Sequence, residues 1–395
     1  MPIVILIILG IPLLSLAWWV WADRRLRGLG RTGRNARITL GLAVLLLLTG
    51  FVWVILGRRN LLIMPIPAAL YALVLLWGLV FMPLLGLPMM ASWSLWSLAR
   101  QVLGRIWPVK DSREEAGGRK WTRREWLGAA AVTLPVVATF GAAAFSLPRL
   151  KRFRVREMTV FLKDLPQALD GMRIAHVTDT HVGKFTRGMA LDEIVAATNR
   201  LEADLVLFTG DLIDNTIRDL PVAVKMLQRL RPGSGLFMVE GNHDLFDDPA
   251  EFVRGVRAGG VALLRNEMAT VRVRGVPVQI LGIVWNHREE KMARDVAAVA
   301  ALRDPDAFPI LLAHHPHAFD RAAELGIPLT LAGHTHGGQL MLTPDIGAGP
   351  AMFRYWSGLY QRNGRALVVG NGTGNWFPLR LNAPAEIIHL TLRKG

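Results

Sequence analysis

Residues 2–22, 38–57 and 61–82 are almost wholly apolar, and each is close to the ~20 residues that a helix needs to cross ~30 Å of hydrocarbon. Surface of this kind is stable only in lipid or inside a large core, so the first part of the chain is committed to a bilayer. A fourth apolar stretch, 84–98, follows Pro83, contains Pro88 and carries Ser92, Ser94 and Ser97. A short span, an interfacial helix and a continuation of the third span are all open for it. Residues 126–147 are apolar again and rich in alanine; a basic linker, 148–157, follows with Arg149, Lys151, Arg152, Arg154 and Arg156.

Charge falls on the same boundary. The chain has 46 Lys plus Arg against 31 Asp plus Glu, a net charge of +15. Through Glu157 the counts are 21 and 6, which leaves 25 and 25 for the rest, so the whole excess flanks the apolar runs. This excludes a downstream domain that holds nucleic acid by bulk charge, and no nucleic-acid partner is expected. The absence of cysteine excludes disulfides, thiolate metal sites and cysteine nucleophiles.

Orientation follows the arginines. Arg24, Arg25, Arg27, Arg31, Arg34 and Arg37 place the loop after the first span in the cytoplasm, with the turn at Arg58 to Asn60 outside. If 84–98 does not cross, the basic loop 100–125 is cytoplasmic and the last span exports everything after it; if it crosses, the second half stays inside. Thr122-Arg123-Arg124-Glu125-Trp126-Leu127 resembles a twin-arginine translocation signal, and Ala142, Ala143 and Ala144 offer a site for a signal peptidase. The expectation is a multi-pass protein of a bacterial cytoplasmic membrane, with an extracytoplasmic second half.

From 158 onward short β-branched or apolar runs alternate with helical patterns such as Met189 to Leu201 and Pro221 to Leu230, which predicts an α/β fold. Polar residues able to bind metal stand just beyond the runs: Asp179 and His181, then Gly210-Asp211, Gly241-Asn242-His243-Asp244, His314, and Gly333-His334-Thr335-His336-Gly337-Gly338-Gln339. In an open sheet the carboxyl ends of strands face a ligand crevice. No Gly-x-Ser-x-Gly elbow, Walker loop or EF-hand loop is present, which argues against acyl transfer and nucleotide-loop chemistry.

In this order these fragments resemble the signature of the calcineurin-like metallophosphoesterases, and residues 158–395 resemble the membrane-anchored bacterial branch, in which a late segment like Pro378-Leu379-Arg380 recurs. The resemblance implies a four-layer α/β/β/α sandwich preceded by an all-α multi-span membrane region. It implies two divalent metal ions (manganese, iron or zinc), one held by Asp179, His181, Asp211 and His336, the other by Asp211, Asn242, His314 and His334. It also implies hydrolysis of a phosphodiester or pyrophosphate by a metal-activated hydroxide, with His243 as proton donor and Asp244 orienting its ring. His176, Gln339 and Arg380 are candidates for supporting or phosphate contacts, and His315 for packing. Tethering to a bilayer suits a phosphoester substrate that is a lipid or a lipid-linked metabolite. A membrane sensor or scaffold that binds a metal or phospholigand without turnover is the alternative from another class.

Overall fold

The computed structural model describes residues 2–27, 30–58, 66–106 and 123–395, and divides into two compact units, Met1–Pro148 and Arg149–Gly395. The first unit is helical: α1 (Pro2–Leu26), α2 (Gly30–Arg58), α3 (Ala68–Leu76), α4 (Leu87–Ile106) and α5 (Arg123–Ser146). Trp18, Leu40, Val44, Leu47, Trp77, Met82, Val132 and Val136 pack its interior. The Trp18 and Trp77 rings meet edge to face at 5.2 Å, and the Trp77 Nε1–H donates to Ser15 Oγ at 2.9 Å. Three helices among the described residues are long and apolar enough to cross a membrane: Gly33–Leu56, Ala68–Leu103 and Trp126–Arg149.

The stretch 84–98 continues the third run. A π-helical segment, Trp77–Gly86, joins α3 to α4 without a break. Pro83 inside it explains the widening, because proline lacks an N–H and its ring clashes with the carbonyl one turn back. At ~1.5 Å per residue the 36 residues from Ala68 reach about 54 Å, well past the hydrocarbon thickness. An unbroken helix crosses at most once. Residues 59 and 60 of the expected outer turn, the start of the third run, most of the loop 100–125 and Thr122 of the twin-arginine-like motif lie outside the described residues.

In the second unit β1 (Arg154–Leu162), β2 (Arg173–Val177), β3 (Leu205–Thr209), β4 (Gly235–Val239) and β5 (Ala262–Leu263) form one sheet with the last strand, β14 (Glu386–Lys394), in the order β1-β14-β2-β3-β4-β5. β6 (Glu267–Val273), β7 (Val276–Gly282), β8 (Phe308–Leu312), β9 (Leu329–Ala332), β12 (Gly358–Arg362) and β13 (Arg365–Val369) form the other, in the order β12-β13-β9-β8-β7-β6. A small pair, β10 (Met341–Thr343) and β11 (Ile346–Gly347), lies apart.

Strand side chains alternate between faces, and here both faces are covered. Ile174, Leu205 and Leu207 enter a core shared with Val278, Ile280, Ile310, Leu329 and Val368 of the opposite sheet. Ala175, Val177, Val206 and Phe208 point the other way, onto α6 (Met189–Arg200), α7 (Leu220–Gln228) and α8 (Pro249–Ala258). On the second sheet Leu281 and Leu311 pack beneath α9 (Glu289–Ala300) and α10 (Ala318–Glu324); the short α11 (Ala348–Met352) follows β11. The layers are therefore the expected α/β/β/α sandwich.

The domain begins earlier than the charge pattern indicates. Arg154 and Arg156, read as linker, belong to β1, which runs parallel to β14 with Arg154 opposite Glu386. The Glu386 carboxylate is fully buried; Arg154 Nη2 lies 2.8 Å from it and Arg156 Nη1 3.4 Å. These charges answer a carboxylate 232 and 230 residues away along the chain. Both guanidinium groups reach water, so Glu386→Ala strands no buried cation and its cost is that of the charge-assisted hydrogen bonds, about 2 kcal/mol. A lower melting temperature of the full chain in detergent is expected; unchanged melting would show that the cluster contributes nothing.

Candidate metal centre

Every candidate ligand follows a strand end. Asp179 and His181 follow β2, Asp211 follows β3, Asn242 and His243 follow β4, His314 follows β8, and His334 and His336 follow β9. Asp179, His181, Asp211, His334 and His336 all have positive φ, between 46° and 72°. Non-glycine residues there are strained by on the order of 1 kcal/mol or more each, and such strain collects at functional sites. Backbone bonds hold it: Asp179 N–H donates to Gly210 O at 2.9 Å, His181 N–H to Asp211 O at 3.0 Å, and Gly374 N–H to Asp179 O at 3.0 Å. Two motif glycines are required for close approach. A Cβ on Gly241 would strike the Asp211 carboxylate, and one on Gly333 would strike Thr178 Oγ1 and the Asp179 carboxylate.

The donors converge in two groups around Asp211. On one side His336 Nε2 is 3.3 Å from Asp179 Oδ1 and 3.0 Å from His181 Nε2, which is 3.5 Å from Asp211 Oδ2. On the other, His314 Nε2 lies 3.2 Å from Asp211 Oδ2 and 3.2 Å from Asn242 Oδ1, and His334 Nδ1 lies 2.9 Å from the same Asn242 oxygen. The structure thus brings together all seven expected ligands, Asp179, His181, Asp211, Asn242, His314, His334 and His336.

Two carboxylates, an amide oxygen and imidazole nitrogens turned on one largely buried point need protons or a cation among them to offset their lone pairs. The donor set therefore fits divalent metal. Orientation fits too: the His314 Nδ1–H donates to Thr209 O at 2.6 Å, which leaves Nε2 as its free nitrogen. His336 differs, because Arg380 Nη2 donates to its Nδ1 at 2.8 Å. The proton of the neutral ring then sits on Nε2, toward His181, and the ring must take its other tautomer before that nitrogen can bind a cation.

Electrostatics set the protonation of the metal-free centre. Burial pushes Asp211 up, but His314 first, then His243 and His181, more than offset it and hold the carboxyl well below its usual range. Asp179 is likewise lowered against burial, chiefly by His336. Burial pushes His336 down to about 4 and, with the His314 charge adding, His334 down to about 3, so both rings are neutral at pH 7. His314 is opposite in sense: burial opposes its charge, but the Asp211 carboxylate raises it to about 9.

His243 stands at the rim of the Asp211 group. Its backbone N–H donates to Asp211 Oδ1 at 2.8 Å and its Nδ1–H to the Asp214 carbonyl at 2.6 Å, with Asp214 Oδ1 at 3.3 Å. Burial disfavours its cation, yet Asp211 and then Asp214 raise it to about 9. The expectation that Asp244 orients this ring is corrected. In the tight turn His243–Leu245 the Asp244 carboxyl turns back to accept from Ile213 N–H at 3.0 Å and Gly241 N–H at 2.9 Å, so it braces the two ligand loops. Asp214 orients the ring instead. Its signal was the Gly210-Asp211-x-x-Asp214 spacing, which carries both carboxylates on one loop.

Arg380 is also placed away from any substrate. Besides His336 it donates to Asn375 Oδ1 at 2.6 Å and to the carbonyls of Asn371, Gly374 and Ala383 at 2.8–3.0 Å, so no N–H is left for a phosphate. Gln339 Nε2 donates to Leu379 O at 2.7 Å and His176 Nε2 lies 2.8 Å from Thr209 Oγ1, both within the protein. His315 packs between Trp285 and His334, as expected. The sequence reading missed an aromatic rim. Trp285 lies 4.8 Å from the His334 ring, Phe353 5.6 Å from the same ring, and Trp376 5.8 Å from His243. These rings come from separate loops, and no local pattern marks them.

The calcineurin-like phosphoesterase family profile matches residues 172–338, which hold every one of these ligands. The chain carries a calcineurin-like phosphoesterase domain. An uncharacterized metallophosphoesterase of Helicobacter pylori is 31% identical over 246 residues, 62% of this chain and 65% of that protein. The Bacillus subtilis uncharacterized metallophosphoesterase YkuE is 29% identical over 294 residues, 70% of this chain and 99% of that one. A Danio rerio transmembrane protein with metallophosphoesterase domain is 29% identical over 305 residues, 74% and 68% of the two chains. The metallophosphoesterase domain supports phosphoester hydrolysis, and the apolar helices support membrane association.

Metal uptake by this domain must expel a proton from His314. Loading therefore strengthens as pH rises from 6 toward the His314 value of about 9, with net proton release visible as a buffer-dependent heat in calorimetry. Asp211→Ala, which removes the oxygen nearest both groups, is expected to abolish retained metal measured by elemental analysis. Full metal content in that variant would show that the two groups do not share Asp211.

Proposed function

We propose that the chain is a membrane-bound phosphoesterase that hydrolyses a phosphodiester or pyrophosphate, with a substrate that is a phospholipid or a lipid-linked envelope metabolite. The observation that carries this reading is Asp211 between two groups of buried donors, with a charged His243 beside them whose Nδ1 is taken by Asp214. Asp179, His181, Asp211 and His336 would hold one divalent cation and Asp211, Asn242, His314 and His334 the other. Bound there, the pair would supply water acidified enough to attack phosphorus and would neutralise charge on the phosphoryl oxygens. Carboxylate, amide and imidazole donors suit manganese, iron or zinc.

The protein's own part is proton management and positioning. With Nδ1 held by Asp214, His243 presents Nε2, and as an imidazolium it delivers the Nε2 proton to the leaving oxygen when the phosphorus–oxygen bond breaks. Asp214 stabilises the charged form and fixes the ring plane. The Trp285, Phe353 and Trp376 rim lowers water access and offers apolar surface to the substituents of the ester. A non-catalytic sensor needs the ligands but not this poised acid, and the His243–Asp214 pair weighs against that reading.

Orientation is part of the proposal. A third span that crosses once, with the arginine-rich loop after α1 in the cytoplasm, leaves the basic loop after α4 in the cytoplasm and the catalytic domain outside. The twin-arginine-like residues at the start of α5 agree with that direction.

His243→Ala is expected to keep its metal and to lose about 10²- to 10⁴-fold in kcat on a chromogenic phosphodiester, the usual reach of general acid–base catalysis. Unchanged turnover would remove the residue from its role. Because the acid form is required, rate falls as pH rises through the His243 pKa. Asp214→Asn removes one of the two anions, after Asp211, that raise this pKa, so the alkaline limb of the pH–rate profile moves to lower pH; a limb that stays in place refutes the pairing.

A further inference from the structure

The loop between β7 and α9 turns one wall of the metal centre into the wall of a second cavity. The cavity has a volume of about 310 Å³ and is lined by Trp285, Asn286, His287, Arg288 and Lys291. That is the lower end of the range for small-molecule sites. The Trp285 ring that lines it also lies 5.4 Å from His314 and 4.8 Å from His334. A group in the cavity is thus separated from metal ligands by a single indole.

The cavity wall is cationic and its cations are unspent. Arg288 and Lys291 are exposed, and among the described residues neither side chain has an ion pair or hydrogen bond. No carboxylate lines the cavity. The neighbouring Glu289 is engaged elsewhere, 2.8 Å from His317 Nδ1 and 4.0 Å from Arg354 Nη2. The loop is also built to hold its shape. Val284 N–H donates to Asn266 Oδ1 at 3.1 Å, Arg288 N–H donates to Asn286 Oδ1 at 3.1 Å, and Ile283 N–H reaches Leu312 O at 3.3 Å. A guanidinium and an ammonium beside a fixed aromatic face suit an anion attached to a flat or ring-shaped group.

We propose that this cavity is a second substrate subsite, taking an anionic group, phosphate or carboxylate, that the substrate carries beyond a ring lying along Trp285. The inference deepens the phosphoesterase reading above and rests on it: the scissile phosphorus sits at the metal centre while Arg288 and Lys291 hold the distant charge. Substrates with two separated anionic groups are favoured over simple diesters, through KM rather than kcat.

The test uses the full chain in detergent with manganese and two nitrophenyl phosphodiesters of thymidine, one with and one without a phosphate on the other sugar hydroxyl. The phosphorylated substrate is expected to have a KM lower by about tenfold or more, the worth of one good charge-assisted contact. In Arg288→Ala/Lys291→Ala that preference disappears, with the loss confined to the KM of the phosphorylated substrate. Equal KM values in the unaltered protein, or a variant that raises both KM values alike, would overturn the subsite.

If neither ester is cleaved by metal-loaded protein, the phosphoesterase reading fails, and the subsite is judged by calorimetric binding of thymidine bisphosphate against thymidine monophosphate. Tighter binding of the bisphosphate that the double variant abolishes supports it; equal affinities, or no binding of either, overturn it.

Discussion

The need to offset the lone pairs that converge on Asp211, by protons or by a cation, is the constraint on which the rest of the domain depends. Neighbouring donors among Asp179, Asp211, Asn242 and the imidazoles lie 3.0–3.5 Å apart at positions that are mostly buried, an arrangement that folding alone does not favour. The two sheets make it possible. Their parallel strands β2, β3 and β4 and β8 and β9 are buried on both faces, and so rigid ends deliver the ligands from opposite sides. The left-handed backbone at five of those ligands is the local cost, sustained by bonds between the strand-end loops such as Asp179 N–H to Gly210 O. Without metal the His314 proton offsets the Asp211 charge, and a divalent cation would take that place among the donors.

The ligands were legible in the sequence for a physical reason. A side chain that must turn into a crevice at a strand end requires a sharp bend beside it, and glycine marks the bend at Gly210, Gly241 and Gly333. Adjacency in the chain misled at Asp244. It follows His243 directly, but in a tight turn neighbouring side chains diverge, and its carboxyl goes to backbone N–H groups instead. Arg154 and Arg156 misled similarly, because a basic run after an apolar stretch reads as a membrane flank. Their partner, Glu386, enters the argument only when β14 returns to lie beside β1. The aromatic rim had no sequence signal, since Trp285, Phe353 and Trp376 meet only through the fold.

In the helical unit the local rule was informative and its consequence was not. Pro83 and Pro88 looked like interruptions of an apolar pattern, and a break was one of the open readings. A lone proline in a long helix can instead be absorbed by one wide turn, and the π-helical segment Trp77–Gly86 does this while keeping the helix continuous. A break would have allowed the chain to reverse within the apolar run, whereas an unbroken helix crosses a bilayer at most once.

Arg380 shows how far support for the centre extends beyond the ligands. Burial pushes its guanidinium down to about 10, yet it remains charged at any physiological pH and no carboxylate touches it. A half-buried cation with no carboxylate partner is retained when its donors are satisfied, and here neutral acceptors from residues 371–383 satisfy them. The group therefore gathers a loop far along the chain around His336 and sets a positive charge against its Nδ1. That charge opposes protonation of the ring, so the same contact that shapes the loop also keeps His336 neutral.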